Sequence, residues 1–218
     1  CDAIGDPCPQ GHWIKCSFNG FYRGIASFFD NRYPYNYRVE EAFFTNNVTG
    51  VMNYGVNFPI VINNVFEVGA NGGGDGLCID INGIGFDSDN AMGFAVENNE
   101  FYKNPNADSG SYIGVRINNT QSGYDEIYRN SFENLSYANL AEKKNWNLNN
   151  IWEGLAYYCN DNTSNWADFW VDTVGVSGIQ ARQGNDDHVA GNTFSSSANW
   201  HFYNGGIHEV GYYYCGTC

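Results

Sequence analysis

Basic side chains are scarce in this 218-residue chain: Lys and Arg number 10 against 24 Asp and Glu, for a formal net charge of −14. Phosphate recognition needs clustered Lys and Arg, so the shortage argues against a nucleic-acid partner. It also disfavours an anionic membrane surface. Long apolar runs are missing as well, which excludes a hydrophobic helix of membrane-spanning length and with it membrane insertion by that route. Strong helix formers are thin, and no segment sustains a 3.6-residue period, which excludes a helical repeat. Neither G-x-S-x-G nor H-E-x-x-H occurs, and the four His (12, 188, 201 and 208) form no nucleophile constellation.

What remains is turn and strand chemistry. The chain holds 26 Gly, 32 Asn, 16 Tyr and 15 Phe. Gly and Asn accept positive φ, and aromatic residues suit a pleated, half-buried surface. A hydrophobic content of 43% excludes a disordered chain, and the length suits one domain. The expectation is an all-β fold with many turns.

An Asn recurs two residues before a Phe, in "INNVFEVG", "VENNEFYKN", "YRNSFENL" and "VAGNTFSSS". A small residue followed by an aliphatic answers each such site: Gly24-Ile25, Gly50-Val51, Gly76-Leu77, Gly114-Val115, Asn139-Leu140, Gly178-Ile179 and Gly205-Gly206-Ile207. In "YYCNDN" the pattern persists with Asn162 at the Phe position. Short alternating segments repeating every 22 to 35 residues are the mark of stacked strands. The pattern predicts a right-handed parallel β-helix, a solenoid of about seven coils. Phe18, Phe44, Phe66, Phe101, Phe132 and Phe194 would stack inside, with each Asn at a left-handed corner bonding the rungs above and below. A β-propeller would need longer blades and hairpin signals. Residues 1–16 read as an N-terminal cap, 17–207 as coils and 208–218 as a C-terminal cap. Insertions at 69–76, 105–112 and 164–176 are expected to leave mainly one corner, and 80–93 another.

Seven Cys, at 1, 8, 16, 78, 159, 215 and 218, crowd toward the two ends and suggest an oxidising compartment. The odd count leaves at least one unpaired. Cys215 and Cys218 are expected to pair across "GT", and two of Cys1, Cys8 and Cys16 to tie the start. Cys78 and Cys159 lie too many rungs apart to meet. With no charged-then-apolar leader, the chain is expected to be a mature protein or a segment of a longer one.

The segments "GLAYYCNDN", "GIQARQGNDDHVAGNTFS" and "NGGIHEVGYYYCGTC" resemble the β-helical repeat region of large secreted surface proteins of Bacteroidota, exported by the type IX system. The resemblance is clearest from Gly154 to Cys218. It implies a parallel β-helix at the cell surface or outside the cell and assigns no catalytic residues. Within it, "DTV" fits the Asp-Thr/Ser-aliphatic pattern of O-glycan attachment and makes Thr173 an acceptor.

A lyase would need an Arg beside a carboxylate cluster, but Arg116 and Arg182 fall on coils too far apart to share one substrate atom. Asp80, Asp87 and Asp89 are close enough for a glycosidase pair but lie in a polar segment that would not raise an acid's pKa. "DINGIGFDSDN" offers Asp80, Asn82, Asp87, Asp89 and Asn90 as hard oxygen ligands, so calcium is the candidate cation, with a solvated turn as the alternative. His201 and His208 with Glu209 are either metal ligands or part of a capping structure. Trp166, Phe169 and Trp170 are candidate ligand-binding residues for a surface polysaccharide or a protein partner, which includes neighbouring copies end to end, with burial of these rings between loop and cylinder as the alternative. The function expected is a non-catalytic surface module of an adhesin, stalk or filament, with a carbohydrate-active β-helix as the alternative.

Overall fold

The computed structural model describes residues 15–29, 36–70, 81–107, 109–120 and 124–214. Within them every regular element is a strand. The order is β1 (Ser17–Asn19), β2 (Arg23–Phe28), β3 (Arg38–Glu40), β4 (Phe43–Asn47), β5 (Thr49–Tyr54), β6 (Ile60–Ile62) and β7 (Val65–Val68). There follow β8 (Ile81–Asp89), β9 (Ala95–Glu97), β10 (Glu100–Lys103), β11 (Ser111–Asn118), β12 (Tyr124–Tyr128), β13 (Ser131–Glu133) and β14 (Tyr137–Glu142). The last are β15 (Trp146–Asn147), β16 (Asn150–Tyr158), β17 (Asp161–Thr163), β18 (Ala167–Val171), β19 (Arg182–Gln183), β20 (Trp200–Asn204) and β21 (Gly211–Tyr212).

These strands form three long sheets. The first runs β1-β4-β7-β10-β13-β17, the second β2-β5-β8-β11-β14-β18-β20, and the third β15-β16-β12-β9-β6-β3; β19 and β21 make a small fourth. From β1 to β18 the chain therefore visits first, second and third sheet in turn and comes back one strand further along; after that, β20 rejoins the second sheet between β19 and β21 of the fourth. All pairings are parallel except β15 with β16, which double back on each other. Inward side chains of all three sheets share one core.

Register along each sheet is set by like residues meeting like. In the first sheet Phe18, Phe44, Phe66, Phe101 and Phe132 pair in succession, and Asn162 follows. Their rings stack at centroid spacings of 4.9, 4.6, 4.6 and 5.1 Å with planes 6–7° apart. That is the spacing of hydrogen-bonded strands, so one ring fits each rung. Removing such a ring from water is worth about 2–3 kcal/mol. The third sheet contributes Val39, Val61, Val96, Ile127 and Tyr157 in register.

Beside the Phe column the second sheet carries glycine. A Cβ on Gly24, Gly50, Gly85 or Gly114 would come within 2.9 Å of the Cδ1 of Phe44, Phe66, Phe101 or Phe132 respectively. The next residue in that series is Ala138, and it occurs where Asn162 has replaced the ring. Glycine and ring change together.

The recurring Asn forms a buried ladder. Asn64, Asn99, Asn130 and Asn160 each send their backbone N–H and their Nδ2 to the Oδ1 of the next member, at 2.8–3.2 Å, ending at Asn192. Each Nδ2 also donates to the carbonyl of the preceding third-sheet strand, such as Val61 O or Val96 O. The left-handed bend was expected at these Asn, but it falls one residue earlier. Glu41, Asn63, Asn98, Arg129 and Cys159 have φ of 52–56°. Turning before the ladder leaves each Asn free to aim its amide along the stack.

Several expected positions are corrected. The inward column of the second sheet is Ile25, Val51, Phe86, Val115, Asn139, Phe169 and Phe202. Gly85-Phe86 thus takes the place expected for Gly76-Leu77, which lies outside the described residues. Leu140 points outward, because a shift of one residue moves a side chain to the other face. Gly178-Ile179 and Gly205-Gly206-Ile207 lie beyond β18 and β20; Ile179 is buried in the core as expected, whereas Ile207 is exposed. Residues 81–89 are the central strand β8 and not a loop, and 164–176 contains β18, so only the segment after Val171 leaves the sheet. Phe194 stands outside the ring stack and packs edge-on to Phe169 at 6.0 Å.

Candidate functional site

Alternation along β18 decides which of its side chains meet solvent. Phe169 and Val171 face the core at 0% exposure, so Trp170 between them faces out. Phe169 is thus a core residue, stacked on Phe202, and not a ligand contact. Trp170 is flanked across the strands by Leu140 and Tyr203, while Tyr137, Ala167 and Trp200 form the neighbouring row.

These positions bring five rings together on the outer face of the second sheet. Trp170 stacks on Tyr203 at 3.9 Å and meets Trp200 edge-on at 6.1 Å. Tyr137 is edge-on to both Trp166, at 5.4 Å, and Trp170, at 5.6 Å. Trp166 and Trp200 keep 41% and 43% of their surface exposed, which leaves the rim of the cluster open to a partner. Burial and the nearby Asp172 hold the Tyr137 hydroxyl above its ordinary pKa, so it stays protonated and able to donate.

The same outer face continues toward the N-terminal strands. Ile84, Ile113 and Leu140 form an apolar strip under Tyr137 and Trp170. Beyond it lies a fork-to-fork ion pair: Arg116 Nε donates to Asp87 Oδ1 at 2.9 Å and Nη2 to Oδ2 at 2.7 Å. Burial opposes the Arg116 charge, but the bonds to Asp87 outweigh it and raise its pKa. One face therefore runs from charged pair through aliphatic strip to aromatic cluster.

The other predicted residues fall as follows. Asp80 lies outside the described residues, and Asn82 is on β8. Asp87 and Asp89 are two apart on that strand; both Asp87 oxygens engage Arg116, while Asp89 accepts from Asn90 Nδ2 and lies 3.6 Å from Lys143 Nζ. No group of three or more His, Cys, Asp or Glu side chains able to hold a metal occurs among the described residues. His208 Nε2 sits 2.6 Å from Ile179 O and its ring meets Trp146 edge-on. His201 Nε2 is 3.0 Å from Ser195 O. Arg116 is on the second sheet and Arg182 on the small fourth one. Thr173 is exposed just after β18, its N–H donating to Asp172 Oδ1. Cys16 and Cys159 are exposed free thiols; Cys1, Cys8, Cys78, Cys215 and Cys218 lie outside the described residues.

Sequence reasoning reached Trp166 and Trp170 and missed Tyr137, Trp200 and Tyr203. Those three come from strands about thirty residues away, and only the cross-strand register assembles them. The signal that was available is the adjacent Phe-aromatic pair in "FWV" and "FYN", where alternation sets Trp170 and Tyr203 outward together.

Compared with known proteins, the chain matches no family model, no curated protein and no solved structure.

Proposed function

We propose that this chain is a right-handed parallel β-helix of about seven coils that serves as a non-catalytic extracellular module of a bacterial adhesin, stalk or filament. In this reading each passage through the three sheets is one coil, and the outer face of the second sheet is the binding surface. The observation that carries the function is the cluster of Tyr137, Trp166, Trp170, Trp200 and Tyr203, held outward on parallel strands whose positions the ladder and ring stack fix. Rigid aromatic rings give large contact area at low entropic cost, which suits a polysaccharide or a protein partner. Net charge of −14 is compatible with a well-solvated extracellular surface. Resemblance of the 154–218 region to type IX-exported proteins of Bacteroidota supports the cell-surface assignment, and exposed Thr173 is then an O-glycan acceptor.

The experiment is binding of labelled protein to bacterial cells, read by flow cytometry. Wild-type protein is expected to bind, and the Trp166→Ala/Trp200→Ala variant to lose about tenfold in affinity, or about 1.4 kcal/mol. Periodate treatment of the cells removes a polysaccharide partner, and protease treatment a protein one. Equal binding by the variant overturns the assignment of this face.

A further inference from the structure

The third sheet carries a second outward feature, on a different face and independent of the aromatic cluster. In β12 Asp125 and Ile127 point inward, so Tyr124, Glu126 and Tyr128 point outward. Their partners across the sheet are Gly154, Ala156 and Tyr158 of β16. Tyr124 and Glu126 therefore stand beside residues that rise no higher than a methyl group, and a trough opens along the strand. Its far side is Gln180 and Arg182, and Trp152 joins the lining where β16 begins. The groove encloses about 260 Å³.

Each wall has an exposed ring and a charged side chain, Glu126 or Arg182, that enters no ion pair among the described residues. Tyr124 is 72% and Trp152 56% exposed, so both rings leave a large apolar area in water. Arg182 is held between two rings, 5.1 Å from the centroid of Trp152 and 5.2 Å from that of Tyr213. That contact fixes the guanidinium by cation–π attraction without using its N–H groups, and Arg182 enters no ion pair among the described residues. Gln180 is likewise fixed, its Nε2 donating to Arg182 O at 2.5 Å and Tyr158 Oη at 3.3 Å. Glu126 faces the groove opposite, and partial burial with neighbouring Glu97 makes its charge costly as it stands.

The ligand class follows from this mixture. Exposed rings want a flat face of C–H groups, whereas a carboxylate and a guanidinium on opposite walls want hydroxyls to accept from and donate to. A pyranose ring offers both at once. The volume is below that of a drug-sized pocket, about 300–1,000 Å³, and fits one ring of a chain crossing an open groove. Walls of opposite sign within a chain of net charge −14 select against a polyanion. We propose that this groove binds a neutral saccharide, one pyranose stacking on Tyr124 or Trp152 while Glu126 accepts and Arg182 donates hydrogen bonds to its hydroxyls.

The test is a titration of the full chain with short neutral gluco-, galacto-, manno- and N-acetylglucosamine oligosaccharides, and with oligogalacturonate as the anionic comparison. The readouts are the indole N–H resonance of Trp152, identified by its loss in Trp152→Phe, and, for Trp152→Ala, the backbone amide resonances of Tyr124, Glu126 and Arg182. At least one neutral oligosaccharide should shift that resonance, with Trp152→Ala and Glu126→Gln each weakening binding about tenfold. Both residues are exposed, so both variants fold, which the unchanged amide spectrum will verify. Val174→Ala, at an exposed residue in neither the groove nor the aromatic cluster, should bind as wild type. A Trp152 resonance unmoved by every neutral sugar, tighter binding of oligogalacturonate, or undiminished affinity in Trp152→Ala each overturns the proposal.

Discussion

The Oδ1 of Asn130 accepts two hydrogen bonds from Asn99, from its backbone N at 2.9 Å and its Nδ2 at 3.0 Å, while Asn130 Nδ2 reaches back to Val96 O at 2.8 Å. One side chain thus satisfies three buried polar groups that have no access to water. Asn130→Ala takes the acceptor from Asn99 N–H, leaves Asn99 Nδ2 with Val61 O alone and removes the amide from Val96 O, and each lost partner costs about 1–3 kcal/mol. The expected loss is about 3–5 kcal/mol by urea denaturation. Exposed Asn199→Ala should stay within about 0.5 kcal/mol and serves as the control. Equal effects of the two would mean the ladder contributes nothing.

The glycine–ring pairing makes a prediction of its own. In Gly114→Ala the new Cβ meets Phe132 Cδ1 and Ala138 O at 2.7 Å, so a loss of about 2–3 kcal/mol is expected. Asn162→Phe should also destabilise, since the ring would enter the space of Ala138. Adding Ala138→Gly should recover part of that loss and extend the column by one ring. Thermal melts of the three variants decide it, and a double variant no better than the single one argues against the pairing.

Asp125 gives the fold a pH dependence. It is fully buried, and burial raises its pKa to about 6, against smaller opposing contributions from Thr120 and the backbone N–H groups of Gly93 and Phe94. Gly93 N donates to Oδ1 at 2.6 Å, whereas Oδ2 lacks a partner of good geometry. A carboxyl whose folded pKa exceeds its unfolded one stabilises when protonated. That contribution is complete below about pH 4 and is lost as pH rises through about 6, at a cost of roughly 3 kcal/mol by pH 7. Asp125→Asn, which keeps the acceptor but not the charge, should melt higher than wild type at pH 7 and close to it at pH 4. A constant difference across that range would show that Asp125 does not titrate.

The Arg116–Asp87 pair is suited to a double-mutant cycle. Its side chains are only 21% and 12% exposed, so removing either partner strands a poorly solvated charge. Arg116→Met and Asp87→Ala are each expected to cost about 2–3 kcal/mol, and the double variant less than their sum by about 1–2 kcal/mol. Additive losses would reduce the pair to an incidental surface contact.

The repeat was legible because one chemical signal, Asn-x-Phe, returns wherever a bend, a ladder amide and a core ring are needed together. Its register was only partly legible. "GLCIDINGIGF" offers three Gly-apolar pairs, and the local sequence does not distinguish them; the ring of Phe101 seated at Gly85 does. Reading 80–93 as a loop followed from its Gly and Asp content, yet β8 is paired on both sides in the second sheet and its strand neighbours override propensity. Trp166 and Trp170 were visible as surface aromatics, while treating their segment as an insertion hid the alternation that buries Phe169. Tyr124, Trp152 and Arg182 had no local signature, since they share a groove only through the pairing of β12 with β16 and the approach of β19.

Each rung of the asparagine ladder closes a loop of 30 to 35 residues from Asn64 to Asn192. The loop-closure entropy is therefore nearly equal at every step, since it grows only with the logarithm of length. Order spreads from a completed edge in equal increments, and no single long-range contact has to form before the rest. A chain emerging from a secretion channel or a ribosome finds a finished template for each new segment. Unzipping starts where a neighbour is missing, so amide exchange should be slowest around Asn99 and Asn130 and quicken toward both ends.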